Sequence, residues 1–164
     1  MDKIVGRVWK FGDDINTDLI FPNTAFQLPQ EEQAKLVFQI NRPGWAEEVK
    51  PGDIIIGGRN FGTGSSRPAP RVLKQLKVGA LVANSINGLF FRNAVNFGLP
   101  ALQCPQVYDT FEEGDIAEID LEAATVINRR TGQAIKGSAI PENIINLMAG
   151  GGLFRLLKSE GFLE

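Results

Sequence analysis

Apolar and polar positions along the first two thirds of the chain predict strands that alternate with helices. Residues 4–11 (IVGRVWKF) alternate between the two classes, which is typical of a strand with one buried face. Shorter apolar runs predict three buried strands, at residues 54–56, 80–83 and 100–104. Segments 68–77 and 86–97 carry apolar residues at three- and four-residue spacing and predict helices. This order predicts a small parallel sheet with helices packed on it, an α/β fold.

Local signals place the remaining elements of this part of the chain. Asn84 or Ser85 is expected to cap the second helix, because their side-chain oxygens accept hydrogen bonds from a first helical turn. Residues 19–21 predict a short strand that a proline closes. Segment 23–50 lacks a clear period except at 30–39, where a short helix is expected. We interpret this segment as a long loop or lid.

The last third of the chain changes its pattern. Residues 115–137 alternate with period two, and the turn signal at 130–132 predicts a hairpin. Residues 141–157 return to a helical pattern, interrupted by three consecutive glycines. The acidic residues just before the hairpin predict a solvated turn; they are Glu112, Glu113 and Asp115. Neither a repeat nor a linker divides the chain, so one domain over residues 1–164 is predicted.

Composition excludes several classes of function. The net charge of −2 and the absence of a Lys/Arg cluster argue against a nucleic-acid surface. No apolar run approaches the roughly 18 residues that a membrane helix needs, and no signal-peptide core is present, so a cytoplasmic protein is expected. The chain has no histidine and one cysteine, Cys104. Histidine-dependent triads, histidine metal sites, an internal disulfide and a self-contained iron–sulfur cluster are therefore excluded.

Residues 53–67 (DIIIGGRNFGTGSSR) hold the strongest candidate chemistry. The buried strand breaks into a glycine-rich loop that ends on Ser65, Ser66 and Arg67, directly before a predicted helix. The loop lacks the lysine of a P-loop, the third glycine of a dinucleotide fingerprint and the GxSxG of a nucleophile elbow. Glycines alone are also typical of a plain tight turn. Two hydroxyls and a guanidinium at a helix start, however, indicate a site for a carboxylate or phosphate.

Ser65 and Arg67 together predict a particular type of reaction. Arg67 is suited to hold a carboxylate in bidentate fashion. A serine alkoxide is stabilised where backbone N–H groups and a guanidinium surround it, so Ser65 is a candidate base. A base beside a clamped carboxylate is the arrangement for removing a proton alpha to that carboxylate. The chain lacks an acid for the departing group, which indicates that the site is shared with another chain.

Several segments, in a fixed order, resemble a known family. They are residues 60–67 (NFGTGSSR), residues 12–22 with Thr17 and Asp18, residues 52–55 and residues 90–100 (FFRNAVNFGLP). Together they resemble the small, swivelling domain of the aconitase superfamily. The chain length is similar to that of the free-standing small subunits of 3-isopropylmalate dehydratases and related hydro-lyases. The resemblance implies a swivelling β/β/α domain with a partly parallel sheet flanked by helices.

The resemblance also implies roles for individual residues. Ser65 corresponds to the catalytic base, and Asp18 to a residue that sits beside that base and orients or polarises it. Ser66 and Arg67 correspond to the groups that bind a substrate carboxylate. Gly64 is expected to bind substrate as well, because a glycine lets the backbone approach a ligand closely. The family's large subunit holds a 4Fe–4S cluster as the Lewis acid, so this chain would carry no cofactor and would be inert alone. When isolated, it could form a homo-oligomer.

Two departures from the family's pattern bear on the substrate. Pro68, Ala69 and Pro70 stand where the family commonly has Glu-His-Ala, which removes a carboxylate and an imidazole from the site. The loop at 24–28 lacks the arginine that reads a third carboxylate, and Gln27 is its polar candidate. An apolar loop suits an isopropyl or methyl substituent better than a further charge.

The expected function is therefore dehydration or isomerisation of a branched hydroxy dicarboxylate. The first expectation is 2-isopropylmalate to 3-isopropylmalate, a step of leucine biosynthesis. A 2,3-dimethylmalate or methylmalate-type hydratase is the alternative within the family. A dicarboxylate-binding module without catalytic activity is the alternative from another class, and it would bind its acid without a partner.

Overall fold

A mixed seven-stranded sheet forms the centre of the structure, in the order β4-β3-β2-β1-β5-β6-β7. A computed structural model describes residues 2–64 and 67–161. The strands are β1 Ile4–Phe11, β2 Ile54–Gly57, β3 Ala80–Ala83, β4 Ala101–Gln103, β5 Ile116–Asp120, β6 Thr125–Asn128 and β7 Ala134–Lys136. Strands β1 to β4 pair in parallel, whereas β5 to β7 pair antiparallel. The predicted parallel half and the predicted hairpin are both confirmed.

Helices connect the parallel strands, and two more helices follow β7. The α-helices are α1 Thr17–Ile20, α2 Trp45–Glu48, α3 Ala69–Gln75, α4 Gly88–Asn96, α5 Val107–Thr110, α6 Glu142–Ala149 and α7 Leu153–Ser159. Two 3₁₀ helices, Asn23–Gln27 and Gln30–Leu36, lie in the segment before α2. Helices α3 and α4 occupy the crossovers from β2 to β3 and from β3 to β4, as the spacing of apolar residues predicts. The three glycines after α6 separate it from α7.

Strand β2 shows why the sheet has a core on both faces. Ile54, Ile55 and Ile56 are all fully buried. Ile55 belongs to a cluster with α3 and α4, while Ile54 and Ile56 belong to a cluster on the opposite face with α6 and the antiparallel strands. Successive strand residues point to opposite faces, so a strand covered on both sides has to be apolar at every position.

Segment 23–50 is a packed layer and not an open loop. Trp45 and Phe38 are fully buried in it. Phe38 stacks on Phe11 of β1 with the ring centroids 4.0 Å apart, and Trp45 meets Phe11 edge to face at 5.5 Å. Arg42 then makes a two-pronged ion pair with Glu113, at 2.7 and 2.6 Å, which ties the segment to the turn before β5. The helix predicted at 30–39 is a shorter 3₁₀ helix.

Two local predictions are wrong. Residues 19–21 are not a strand, because Leu19 lies in α1, whose first turn is capped by the Asn16 carboxamide at 3.0 Å from the Leu19 amide. Helix α4 is capped by Asn87, and not by Asn84 or Ser85. The Ser85 hydroxyl instead accepts from the Asn60 amide, and the Asn84 carboxamide accepts from the Tyr108 amide.

Asp115 is a buried carboxylate, whereas the sequence predicted a solvated turn. Its side chain is 6% exposed and accepts from the Arg130 guanidinium at 2.7 and 3.1 Å and from the Asn128 carboxamide at 2.9 Å. The Glu112 amide donates to it as well. The Arg130 hydrogen bonds hold the pKa of Asp115 well below its ordinary value of 3.8. The carboxylate therefore links β5 to the hairpin in its ionised form.

We expect Asp115→Asn to lower the free energy of unfolding by about 2–4 kcal/mol at pH 7, because the substitution breaks a buried charged network. The folded-state pKa is lowered, so the stabilisation is complete above the ordinary pKa and is lost as the pH falls below it. The difference between wild type and variant should therefore shrink between pH 7 and pH 3 in urea unfolding. Asp109→Asn, at an exposed position, is the control. A difference that does not change with pH would contradict this account.

Candidate active site

The glycine-rich loop after β2 is held between the start of α1 and the start of α4. The Gly62 amide donates to the Ile15 carbonyl at 2.7 Å, and the Thr17 amide donates to the Thr63 carbonyl at 2.9 Å. On the other side, the Phe61 amide donates to the Ser85 carbonyl at 3.0 Å. These backbone bonds attach the loop, up to Thr63, to the start of α1 and to the residues before α4.

Two glycines are required in this loop for different reasons. Gly62 has a φ of +84°, and a Cβ there would overlap the ring of Phe90 on α4. Gly64 has a φ of +105°, and a Cβ there would lie 3.3 Å from the Thr17 hydroxyl. Residues with a side chain rarely adopt such φ values. The glycine spacing therefore lets the chain turn tightly between α4 and α1 just before Ser65.

Arg67 lies at the far end of this loop and is held by three groups. Its Nε is 2.6 Å from a carboxylate oxygen of Asp18. Its Nη1 donates to the Phe21 carbonyl at 2.9 Å, and its Nη2 donates to the Asn23 carboxamide at 2.7 Å. The Arg67 side chain is 15% exposed, whereas that of Asp18 is 59% exposed. The guanidinium is thus fixed in a largely buried position with its pairing carboxylate facing solvent.

An aromatic ring lies next to this guanidinium. The Cζ of Arg67 is 5.4 Å from the centroid of Phe26, which in turn meets Phe21 edge to face at 4.8 Å. Phe21 is buried, but the Phe26 ring remains 58% exposed. The site therefore combines a guanidinium with an exposed apolar ring face.

The structure brings together three of the six residues that the sequence analysis selected. Asp18, Gly64 and Arg67 lie around the start of α1. Gln27 is exposed at the end of its 3₁₀ helix, one residue after Phe26, and among the described residues the hydrogen bonds of Arg67 go to Phe21 and Asn23. Ser65 and Ser66 lie outside the described residues.

Sequence reasoning missed Asn23 and gave no role to Phe26 on its own. Asn23 follows a proline in a segment without periodicity, so nothing in the sequence distinguishes it from other loop amides. Phe26 belongs to a loop interpreted as apolar, but its approach to Arg67 depends on how α1 turns the chain. The one sequence feature that could have indicated a role for Phe26 is its position as an aromatic residue next to Gln27.

The start of α3 contributes fewer backbone donors than the sequence analysis expected. Pro68 precedes the helix and Pro70 lies in its first turn, and neither has an N–H. The Ala69 amide already donates to the Arg67 carbonyl at 2.7 Å. An anion at this point would therefore depend on Arg67 more than on the free N–H groups of the helix.

The described part of the chain offers little to a metal ion. Residues 2–64 and 67–161 contain no group of three His, Cys, Asp or Glu side chains placed to hold one. Cys104 is fully buried, and burial raises the pKa of its thiol to about 11. A thiol in that state is a packing residue and a poor ligand. No helix in those residues has the length and apolar character needed to cross a membrane.

The fold and the site define an α/β domain in which a largely buried arginine, Arg67, follows a glycine-rich loop and pairs with Asp18. The model of the family described as the aconitase C-terminal domain matches residues 14–107. This range includes α1, the glycine-rich loop and α4. The chain belongs to the aconitase C-terminal domain family, and the resemblance inferred from its motifs is confirmed.

Individual relatives match along nearly the whole chain. The isopropylmalate/citramalate isomerase small subunit of Methanocaldococcus jannaschii is 42% identical over 159 residues, covering 96% of this chain and 95% of the relative. The 3-isopropylmalate dehydratase small subunit of Aquifex aeolicus is 40% identical over 163 residues, covering 96% of each chain. A crystal structure of 3-isopropylmalate dehydratase from M. jannaschii superposes with a TM-score of 0.89 at 34% identity, covering 97% of this chain and 95% of that one.

Proposed function

We propose that this chain is the small subunit of a two-subunit hydro-lyase that dehydrates or isomerises a branched hydroxy dicarboxylate. The first substrate we propose is 2-isopropylmalate, which is converted to 3-isopropylmalate in leucine biosynthesis. A cytoplasmic location accords with that pathway. The observation that carries the proposal is the Arg67 guanidinium, held at the end of the family's glycine-rich loop by Asp18. The relatives above, whose names describe small subunits of such enzymes, support it further.

In this proposal each site residue has a distinct role. Arg67 binds a substrate carboxylate together with Ser66 and with the backbone of Gly64, which can approach the substrate closely because glycine has no side chain. Ser65 removes the proton alpha to that carboxylate. Asp18 keeps the guanidinium oriented, since its carboxylate lies 2.6 Å from Nε. This differs from the role expected for Asp18 from the sequence, in which it acts on the base.

The proposed reaction needs a second chain. Removing a hydroxyl requires an acid, and the part of the chain that the structure describes offers no metal site for one. A large subunit of the aconitase type, with a 4Fe–4S cluster that acts as a Lewis acid, would supply it. The half-exposed Asp18 carboxylate and the exposed Phe26 ring lie on a surface that such a partner could cover.

The test is reconstitution of the pair. The full chain is co-expressed with a large subunit of the aconitase type and purified without oxygen. Dehydration of 2-isopropylmalate, citramalate and 2,3-dimethylmalate is followed by the ultraviolet absorbance of the unsaturated acid. Turnover that requires both chains supports the proposal, and the preferred acid identifies the enzyme. A stable pair that turns over none of these acids would contradict the substrate class, and dicarboxylate binding by the lone chain would favour a non-catalytic module.

A methyl-substituted malate is the second candidate substrate. The M. jannaschii relative is named for citramalate as well as isopropylmalate. The Phe26 ring presents an apolar face that suits either substituent, and a longer alkyl group would cover more of it. The ratio of kcat/KM for 2-isopropylmalate to kcat/KM for citramalate, measured in the same assay, distinguishes the two candidate substrates.

We expect Phe26→Ala to raise KM for 2-isopropylmalate about five- to tenfold and KM for citramalate by less. The reason is that the larger substituent loses more apolar contact, at roughly 25 cal/mol per Å². Gln27→Ala is the matched comparison, at an exposed position one residue further along the loop. An equal change for both acids, or a larger change with Gln27→Ala, would contradict the role of Phe26. The measurement is steady-state kinetics of the reconstituted pair.

A further inference from the structure

Helix α3 and Arg67, two residues before it, are attached to the segment that begins after α1. Arg67 donates to the Phe21 carbonyl and to Asn23. One turn further along, Arg71 donates to the Gln33 carboxamide at 2.6 Å. The site arginine and a second arginine are thus both held by amide or carbonyl oxygens of the same segment. This contact, which we call the α3 seam, fixes where the segment lies relative to Arg67.

Asn23 contributes to this seam through its carboxamide oxygen, which accepts a hydrogen bond from Arg67. A guanidinium has only N–H donors, so the carboxamide oxygen of Asn23, and not its nitrogen, has to face Arg67. The oxygen lies 2.7 Å from Nη2, while the Phe21 carbonyl lies 2.9 Å from Nη1. Each terminal nitrogen therefore has one acceptor of its own. Two such acceptors fix the plane of the guanidinium, whereas Asp18 on Nε alone would leave the terminal nitrogens unsupported.

The position of Asn23 is itself fixed by its neighbours. Phe21 and Ala25 are buried on either side of it, and Pro22 restricts the intervening backbone. The Asn23 side chain is exposed, so it contributes little to the core. An exposed amide held by a rigid backbone beside a functional guanidinium is better suited to orientation than to stability.

We propose that Asn23 is a positioning residue, which orients the plane of Arg67 so that its remaining N–H groups meet a substrate carboxylate. The proposal rests on the function proposed above, because it takes the carboxylate as the ligand of Arg67. Bidentate binding of a carboxylate depends on that plane, so a guanidinium free to rotate binds more weakly. Carboxylate binding is made in both the ground state and the transition state, and its loss therefore appears mainly in KM.

The kinetic test uses Asn23→Leu, which keeps the size of the side chain but removes the acceptor. In the reconstituted pair we expect KM to rise about five- to tenfold with kcat within about twofold. Asn23→Asp keeps an acceptor oxygen and should restore KM to within about threefold of wild type. Gln33→Leu makes the same change of an amide to an aliphatic group in the α3 seam, but at Arg71. If Gln33→Leu raises KM as much as Asn23→Leu, a general loosening of the seam explains the effect and the proposal is wrong.

A second measurement does not require turnover. In the full chain labelled with ¹⁵N, a guanidinium held at both terminal nitrogens should give separate, slowly exchanging Nη signals, which Arg67→Lys assigns by their loss. Asn23→Leu should merge these signals and Asn23→Asp should retain them. Signals that are unchanged in Asn23→Leu would overturn the proposal. If the signals merge but the wild-type pair turns over none of the acids, the orientation by Asn23 stands and the proposed function is the part that fails.

Discussion

Ser65→Ala should lower kcat of the reconstituted pair by roughly three to four orders of magnitude while leaving KM within about threefold. The reason is that removal of a general base leaves substrate binding intact but takes away the group that accepts the proton, which contributes about 10²–10⁴-fold. Histidine, the usual alternative base, is absent from the chain. The measurement is steady-state dehydration of 2-isopropylmalate.

Ser66→Ala is the matched control for this prediction, because it removes the same hydroxyl from the next residue. If Ser66 binds the substrate carboxylate, its loss should raise KM about tenfold and change kcat little. The two variants should therefore differ in which kinetic constant they change. Ser65→Ala with a kcat within tenfold of wild type would show that another group removes the proton, and the assignment of the base would be wrong.

The elements that the sequence predicts correctly are those with a strong hydrophobic pattern. Strands β1 and β3 begin and end at the predicted residues, since alternation in β1 and a short apolar run bounded by glycine and polar residues in β3 both favour a strand. The strand prediction for residues 19–21 is wrong because their apolar composition is typical of a strand, whereas Asn16 just before them is a helix cap. Asn16 caps the first turn, and its acceptor role overrides the β-propensity of the residues that follow.

Other differences arise from contacts between distant parts of the chain. Three polar residues precede α4, and which of them caps it depends on where Asn60 and Tyr108 place their amides. Asp115 resembles a surface acid in sequence, yet Arg130 reaches it across the hairpin and buries its charge in a network. A sequence pattern records burial of apolar residues, but it does not record which partner neutralises a buried charge.

Some residues of the candidate site could likewise be selected from the sequence, and others could not. The sequence motif is enough to select Arg67 and Asp18, and the structure adds that the two form an ion pair. The contributions of Asn23 and Phe26 could not be predicted, because both depend on the turn of α1 that sets segment 23–50 against α3. The expectation of a helix N-terminus as the anion site was too strong, since two prolines remove donors from its first turn.

Arg67→Lys should lower kcat/KM for 2-isopropylmalate by about 30-fold or more, although the positive charge is retained. Lysine has one nitrogen in place of a planar fork. Asp18, the Phe21 carbonyl and the Asn23 carboxamide would compete with the substrate carboxylate for that nitrogen. The loss of a charged, bidentate contact in a largely buried position costs about 2–5 kcal/mol, and each 1.36 kcal/mol corresponds to tenfold.

Arg129→Lys tests whether an exchange of arginine for lysine is harmful in general. Arg129 is half-exposed and pairs with Glu118 on the hairpin, so its replacement should leave kcat/KM within about twofold. Because both variants keep the net charge of the chain, a loss confined to Arg67→Lys has to come from the geometry of the fork. Equal kcat/KM in the two variants would instead mean that the Arg67 guanidinium serves the fold of the α1 turn and that another group binds the carboxylate.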